Sequence, residues 1–350
     1  MVSQFKFNKK LIYLFINLLY IMNFNKLIIS ILLFIGVGYI YNKLKLNIDL
    51  NEKSDDLKLI TDYLLNEKDD NYIRDLETNN KPILWIHMDY TINSRKWKNF
   101  ASRNTTDLNQ DYLYLTIQSI INTCGKSFTI CLIDDNCFSK LLDNWSINLD
   151  NLSETHKNNT RYVAICKLLY KYGGMYLDNS LIFFKDLINI YNNSCEQNKL
   201  CIGEFKSNNK YSTQLEFSPN LKFITCKKGN KEIHKLYTDI TKIINVDSTK
   251  ENEFIGIIQN ILNTMVSNNI INIIDGKIIG TRFANNKIVT IDDLCGYSQL
   301  DFDKNIYCLY VPKDELLKRT AFNWLVYLNE IQVLQSKTNI GKYLSITLNQ

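Results

Sequence analysis

The chain has 350 residues, of which 45% are hydrophobic, enough to form a sizeable core and to exclude a largely disordered protein. The net charge of +5 is modest, and the lysines are scattered among acidic residues instead of forming a basic stripe with aromatic side chains. The composition therefore argues against a partnership with nucleic acid.

The 9 cysteines are odd in number and contain no Cys-x-x-Cys pair, so they indicate neither a zinc site nor a complete disulfide framework. Cys195 and Cys201 are spaced to close a small loop. We favour the alternative that the cysteines are unpaired thiols, with Cys131 and Cys166 buried as small apolar residues.

The N-terminal region is predicted to be a membrane anchor. Met22 to Tyr41 nearly reaches the ~20 apolar residues that span a bilayer, and a signal peptide or a buried helix is the alternative. The basic residues on the two sides nearly balance, with a slight preference for a cytoplasmic N-terminus, as in a single-pass type II protein. We expect an anchor in residues 1–46, a polar stalk in residues 47–80 and a catalytic domain in residues 81–350.

The first elements after the stalk predict an α/β domain. Pro82 to Met88 is a short apolar run typical of a buried strand, and Leu108 to Cys124 has the apolar spacing of a helix. Phe128 to Ile133 is a second buried strand. Strand, helix and strand in this order predict a βαβ unit with a parallel sheet.

The second strand ends on the acidic pair Asp134-Asp135. Ligands of such sheets bind beyond the carboxyl ends of the strands, which makes both carboxylates candidates for contacting a nucleotide. The alternative, which we favour from the residues alone, is a solvated turn that caps the helix starting near Phe138.

The segment from Asn158 to Ser180 contains the most informative pattern. A helix with one apolar face ends at Gly173-Gly174, and a short strand then leads to Asp178. A carboxylate at this junction, beside the oxygen donor of Ser180, suits Mg²⁺ or Mn²⁺ bound to a diphosphate, and Arg161 suits a phosphate or sugar hydroxyls. The alternatives are that Asp178 caps a turn and that Arg161 is a surface cation or the partner of a carboxylate.

The run Arg-Tyr-x5-Leu-Leu-Tyr-Lys-Tyr-Gly-Gly-Met-Tyr-Leu-Asp, from Arg161 to Asp178, resembles the core of sugar transferases with a DXD motif. It is most similar to the capsular polysaccharide synthesis and glycosyltransferase family 32 group, and the resemblance covers Lys81 to Leu187. It implies a GT-A fold with a Rossmann-like nucleotide-sugar-binding domain. It also implies a nucleotide-sugar donor, a divalent cation (Mn²⁺ or Mg²⁺), a glycan or glycoprotein acceptor, and retention of the anomeric configuration.

The resemblance also assigns roles to residues. It implies catalytic roles for Asp178 and Arg161, a metal site at Asp178 and Ser180, and donor binding by Trp85, Asp134, Asp135, Arg161 and Asn158. For Trp85, a role in stacking on the base or lining its pocket and a place as a core aromatic stand equally, and His87 is a weaker candidate nearby.

Two positions depart from the family pattern, which has Asp at the positions of Asn158 and Ser180. Capsular-type relatives often have Asp-x-Ser at the metal motif, but Asn158 lacks the charge that would orient Arg161. The alternative function is therefore a catalytically inactive protein of the transferase fold that acts in carbohydrate binding or in membrane or virion surface assembly.

Overall fold

The computed structural model describes Gly36, Ile60, Lys68 and residues 62–65, 70–78, 81–88, 110–207, 216–245 and 251–348. The chain divides into two compact units, residues 1–59 and residues 60–350. All described residues except Gly36 belong to the second unit.

The second unit contains both strands and helices. The strands are β1 (Ile83–His87), β2 (Thr129–Ile133), β3 (Gly174–Leu177), β4 (Leu181–Phe183), β5 (Cys201–Lys206), β6 (Phe217–Cys226), β7 (Asn272–Ile274) and β8 (Cys308–Tyr310). The helices are α1 (Asp70–Thr78), α2 (Tyr112–Cys124), α3 (Cys137–Leu141), α4 (Glu154–Tyr172), α5 (Ile188–Glu196), α6 (Lys231–Asn245), α7 (Glu251–Ser267), α8 (Gly276–Ile279), α9 (Ile291–Cys295), α10 (Lys313–Lys318), α11 (Glu330–Gln335) and α12 (Asn339–Leu348).

The main sheet has the strand order β2-β1-β3-β6-β5-β7, and a second sheet pairs β4 with β8. β1 runs parallel to β2 and β3, and β7 runs parallel to β5, whereas β6 is antiparallel to both of its neighbours. The predicted βαβ unit is confirmed, because α2 connects the parallel strands β1 and β2. The fold is a mixed α/β architecture with a sheet rich in parallel pairs.

The apolar runs in the sequence form buried strands of this sheet. Every residue of β1 is buried, as are the last four residues of β2, which is expected for parallel strands covered on both faces. Trp85 and the apolar face of α4 contribute to the same core. The continuous hydrophobicity of these strands therefore follows from their burial, in β1 inside the sheet and in β2 at its edge.

Two glycines make the sharp connection between α4 and β3. Gly173 has a φ of +75° and Gly174 a φ of +98°, in the region that disfavours side chains. A Cβ on Gly174 would lie 2.1 Å from the carbonyl oxygen of Ile83. Glycine at this position therefore lets β3 pair closely with β1.

Residues from the segment interpreted as a stalk also pack on the second unit. Leu65 and Leu76 belong to its hydrophobic core. The backbone amide of Leu132 donates to the carbonyl of Tyr63 at 3.0 Å, beside β2. These contacts extend the folded unit to residues before β1.

The predicted location as a single-pass type II membrane protein is wrong for the part of the chain that the structure describes. A spanning helix needs about 20 consecutive apolar residues. No helix among the described residues is both long enough and apolar enough to cross a bilayer. The predicted span from Met22 to Tyr41 lies, apart from Gly36, outside the described residues.

The cysteines are all free thiols, and all are buried except Cys195. Cys195 and Cys201 therefore form no disulfide, as the favoured interpretation expected. Burial raises the pKa of the Cys131 and Cys166 thiols to about 12, which keeps both protonated and unreactive near neutral pH.

Candidate active site

The carboxyl ends of β1, β2 and β3 lie at one edge of the sheet, because the three strands run in the same direction. His87 ends β1, Asp135 follows β2, and Asp178 follows β3. His87 and Asp178 line a cavity of about 520 Å³ beyond this edge, together with Arg161 and Asn158 from α4. The structure thus places three of the predicted site residues, Asn158, Arg161 and Asp178, at one cavity together with His87.

Arg161 and Asp135 form the closest charged pair of the site. Arg161 donates from Nε to Asp135 Oδ1 at 2.7 Å and from Nη2 to Asp135 Oδ2 at 2.6 Å. Its Nη1 donates to Asn158 Oδ1 at 2.9 Å. Asp135 therefore provides the carboxylate that orients Arg161, and the amide of Asn158 accepts a further hydrogen bond from the same guanidinium.

Asp135 is also the centre of a wider network. His87 Nε2 lies 3.0 Å from Asp135 Oδ1, and Lys157 Nζ lies 3.6 Å from Oδ2. Burial opposes ionisation of Asp135, but the hydrogen bonds from His87 and Arg161 outweigh it and hold the pKa of that carboxyl well below its usual range. Asp135 is therefore ionised at neutral pH.

Three of the predicted donor-binding residues, Asp135, Asp134 and Trp85, are not among the residues that line the cavity. Asp134 accepts hydrogen bonds from the backbone amides of Asn136 and Cys137 at 3.0 Å each, so it caps the start of α3. The indole of Trp85 is buried and donates to the carbonyl of Gly173 at 3.0 Å. The expectation that Trp85 stacks on a base is corrected, because its ring packs in the core against Tyr172.

Asp178 lies at the junction between β3 and β4 and is 6% exposed. Its backbone amide donates to the carbonyl of Lys222 at 2.8 Å, and its Oδ1 accepts from the amide of Ser180 at 2.9 Å. Lys313 Nζ lies 3.3 Å from the same Oδ1. The carboxylate is thus fixed by the backbone and neutralised by an ammonium group.

Ser180 has a different environment from the one that the sequence predicted. Its side chain is fully buried, and its hydroxyl donates to the carbonyl of Val311 at 2.7 Å. The hydroxyl of Tyr112 lies 3.3 Å from Ser180 Oγ. Ser180 is not among the residues that line the cavity, so its oxygen is committed to the packing between β4 and β8.

The residues present do not fit the divalent cation that the sequence predicted. Mg²⁺ and Mn²⁺ at phosphate-binding sites are held by one or two carboxylates together with phosphate oxygens and waters, so at least one carboxylate has to be free to accept the ion. At the predicted metal site, Asp178 already contacts an ammonium group and the Ser180 hydroxyl is used elsewhere. The other carboxylates that line the cavity, Asp314 and Glu315, contact Lys222 and Lys206. In the described part of the chain, no three His, Cys, Asp or Glu side chains are grouped to hold a metal.

The wall opposite the motif comes from residues that the sequence analysis missed. Lys222 lies on β6, Gln259 on α7 and Lys313 on α10, and all three line the cavity. They are distant from the motif in the chain. The sequence contained one weak signal for these residues, the charged side chain of Lys222 within the apolar run of β6.

The side chain of Lys222 is fixed in the cavity wall by polar contacts. Its Nζ donates to the hydroxyl of Tyr310 at 2.5 Å and lies 3.3 Å from Asp314 Oδ2. Burial disfavours the ammonium form, but Tyr310, Asp178 and Asp314 outweigh burial and raise the pKa of Lys222 well above its ordinary value. Lys222 therefore stays charged.

Two buried amide groups in the cavity wall have unsatisfied atoms. The side chain of Gln259 is 3% exposed, and neither its nitrogen nor its oxygen has a hydrogen-bond partner among the described residues. The same holds for Nδ2 of Asn179, whose Oδ1 accepts from Lys313 at 2.8 Å. Because buried polar groups are normally paired, these atoms are suited to a ligand with donors and acceptors.

No protein-family model matches the chain, and no curated protein matches it. Among solved structures, the apo form of the glycosyltransferase GlyE of Streptococcus pneumoniae TIGR4 is similar at a TM-score of 0.32 and 15% identity, over 57% of this chain and 46% of that chain. The match thus spans less than half of GlyE.

Two further structures are similar at the same level. The PaToxG glycosyltransferase has a TM-score of 0.31 and 12% identity, over 61% of this chain and 78% of that chain. The galactosyltransferase LgtC, in complex with donor and acceptor sugar analogs, has a TM-score of 0.30 and 10% identity, over 56% of this chain and 74% of that chain. Likenesses this distant do not assign the activity, which has to be argued from the site.

Proposed function

We propose that this protein is a glycosyltransferase that moves a sugar from a nucleotide-sugar donor to a hydroxyl of a glycan or glycoprotein acceptor. The observation that carries the proposal is the cavity at the carboxyl edge of β1 and β3. Arg161, held by Asp135, and Asp178, beside Lys313, face this one polar space. The residues are those of the motif that resembles glycosyltransferase family 32.

The cavity offers partners for both halves of a nucleotide-sugar. The cations Arg161, Lys222 and Lys313 suit the diphosphate, since each donates charge-assisted hydrogen bonds. The unpaired amide of Gln259 and the unpaired Nδ2 of Asn179 suit sugar hydroxyls, because a hydroxyl both donates and accepts. The volume of about 520 Å³ is in the range of small-molecule sites.

In the proposed reaction, the bond between the anomeric carbon and the diphosphate oxygen breaks, and its electron pair stays on the diphosphate. The acceptor hydroxyl forms the new bond to the anomeric carbon and gives its proton to the departing phosphate oxygen. Arg161, Lys222 and Lys313 stabilise the negative charge that develops on the leaving group. Asp135 positions Arg161, Asp178 positions Lys313, and Asp314 positions Lys222. Retention of the anomeric configuration is part of the proposal.

Hydrolysis of labelled nucleotide-sugars by the purified protein tests this function, with water as the acceptor. We expect turnover of at least one donor, and much less turnover by Asp178→Ala. The anomer first released, followed by NMR, reports retention or inversion. If sugars bind but no donor is turned over, the protein is instead a carbohydrate-binding protein of the transferase fold.

A further inference from the structure

The ammonium group of Lys313 lies where the sequence motif predicted a metal ion. Its Nζ is 3.3 Å from Asp178 Oδ1 and 2.8 Å from Asn179 Oδ1. Two oxygen ligands of consecutive residues after β3 thus converge on one positive charge. These two oxygens are the ligands that a cation needs at this junction, and the ammonium group of Lys313 is that cation.

Lys313 reaches this position because the second sheet fixes the segment just before it. β4 pairs with β8 in an antiparallel register that places Leu181 opposite Tyr310. The next residue, Val311, donates its amide to the carbonyl of Ser180 at 2.9 Å and accepts from the Ser180 hydroxyl at 2.7 Å. Ser180 therefore anchors the segment that carries Lys313, which gives a structural role to the residue in place of the motif's second acid.

Lys222 adds a second ammonium group to the same cavity wall. The carbonyl of Lys222 accepts the amide of Asp178, because β6 pairs with β3. Its side chain is held by Tyr310 and Asp314, and it is only 18% exposed. Two monovalent cations at fixed positions carry the same charge as one divalent ion.

We propose that Lys313, together with Lys222, takes the place of the divalent cation, so that this protein binds the diphosphate of its donor without metal. The inference rests on the proposed function. An ammonium group has three donors, so Lys313 keeps its contacts to Asp178 and Asn179 while it donates to a phosphate oxygen. Asp178 is then a positioning residue, and Lys313 is the catalytic residue that contacts the leaving group.

Calorimetric titration of the full chain with UDP, GDP and inorganic pyrophosphate tests this inference, in EDTA and in Mn²⁺. We expect at least one of these ligands to bind in EDTA with an affinity within about twofold of that in Mn²⁺, a difference of less than about 0.5 kcal/mol. Binding only in Mn²⁺ would overturn the inference and leave the proposed function standing. Binding in neither buffer contradicts the proposed function as well.

Variants at Lys313 give the second arm of the test. Lys313→Ala is expected to weaken binding in EDTA about tenfold or more, because one charge-assisted hydrogen bond is lost. Lys313→Arg keeps the charge and is expected to retain most of the binding affinity. The exposed Lys227 is the matched control, and Lys227→Ala should bind like the wild type. If Lys313→Ala is folded by thermal unfolding and binds as tightly as the wild type, the inference is wrong. If it does not fold, the neutral variant Lys313→Gln gives the same comparison with Lys313→Arg.

Discussion

The guanidinium of Arg161 donates two parallel hydrogen bonds to the carboxylate of Asp135, at 2.7 and 2.6 Å. This pair joins α4 to the end of β2 and so fixes the helix that carries the motif against the parallel strands. Because the pair is mostly buried, it contributes to stability only while both charges are present.

Asp135→Ala should destabilise the protein, because it leaves the buried charge of Arg161 without its partner. We expect the free energy of unfolding in urea to fall by about 2 kcal/mol, less than for a fully buried pair since the Asp135 side chain is 15% exposed. Asp150→Ala is the control, because Asp150 is 74% exposed and contacts Lys157 only at 3.7 Å. Equal stability of the two variants would contradict the role of the pair.

The stability of the protein should also depend on pH through Asp135. The pKa of this carboxyl is depressed in the folded state, so its contribution is present above the usual value of 3.8 and is lost as the pH falls towards the folded pKa. Unfolding of the wild type at pH 6 and pH 3 should therefore show a larger loss on acidification than unfolding of Asp135→Asn. The same loss in both proteins would show that Asp135 is not responsible.

Gly174→Ala should be more damaging than Gly229→Ala, although both glycines have a positive φ. A Cβ at Gly174 meets the carbonyl oxygen of Ile83, whereas a Cβ at Gly229 meets no atom within 4 Å. Backbone strain alone is expected to lower the free energy of unfolding by about 1 kcal/mol in Gly229→Ala, and the clash adds to this loss in Gly174→Ala. Chemical unfolding of both variants measures the difference, and equal costs would argue against close pairing of β1 and β3.

Gln259→Leu should separate stability from binding. Leu is similar in size and leaves no buried polar atom unpaired, so the free energy of unfolding should stay the same or rise. The KM for the donor should rise about tenfold, because a hydrogen bond to the sugar is lost. The exposed neighbour Asn260 is the control, and Asn260→Ala should change neither quantity. A lower stability with an unchanged KM would instead assign Gln259 a structural role.

Much of the fold follows from local patterns in the sequence. The apolar runs of β1 and β2 and the helix between them have periodicities that specify their own structure. Gly173-Gly174 marks the turn from α4 to β3 for the same reason, since only glycine fits the backbone there. Arg161 and Asp178 were predicted together because the helix, turn and strand that connect them resemble a motif of sugar transferases.

The rest of the site depends on contacts between distant parts of the chain. Lys222 and Lys313 reach Asp178 only through the antiparallel pairs of β3 with β6 and β4 with β8, which no local pattern specifies. The burial of the Ser180 hydroxyl depends in the same way on Val311. Asp134 caps α3, whereas Asp135 binds Arg161. Which of the two binds Arg161 likewise depends on the position of α4, the helix that carries Arg161.

The most direct test of the proposed transferase activity is the kcat/KM for nucleotide-sugar hydrolysis, measured for the wild type and for Asp178→Asn with the best donor of the panel. The variant removes the charge that holds Lys313 while keeping the shape of the side chain. We predict a loss of about 100-fold or more, the effect of disturbing an electrostatic group at the leaving diphosphate. Equal kcat/KM values, or no turnover of any donor by the wild type, would contradict the proposed function.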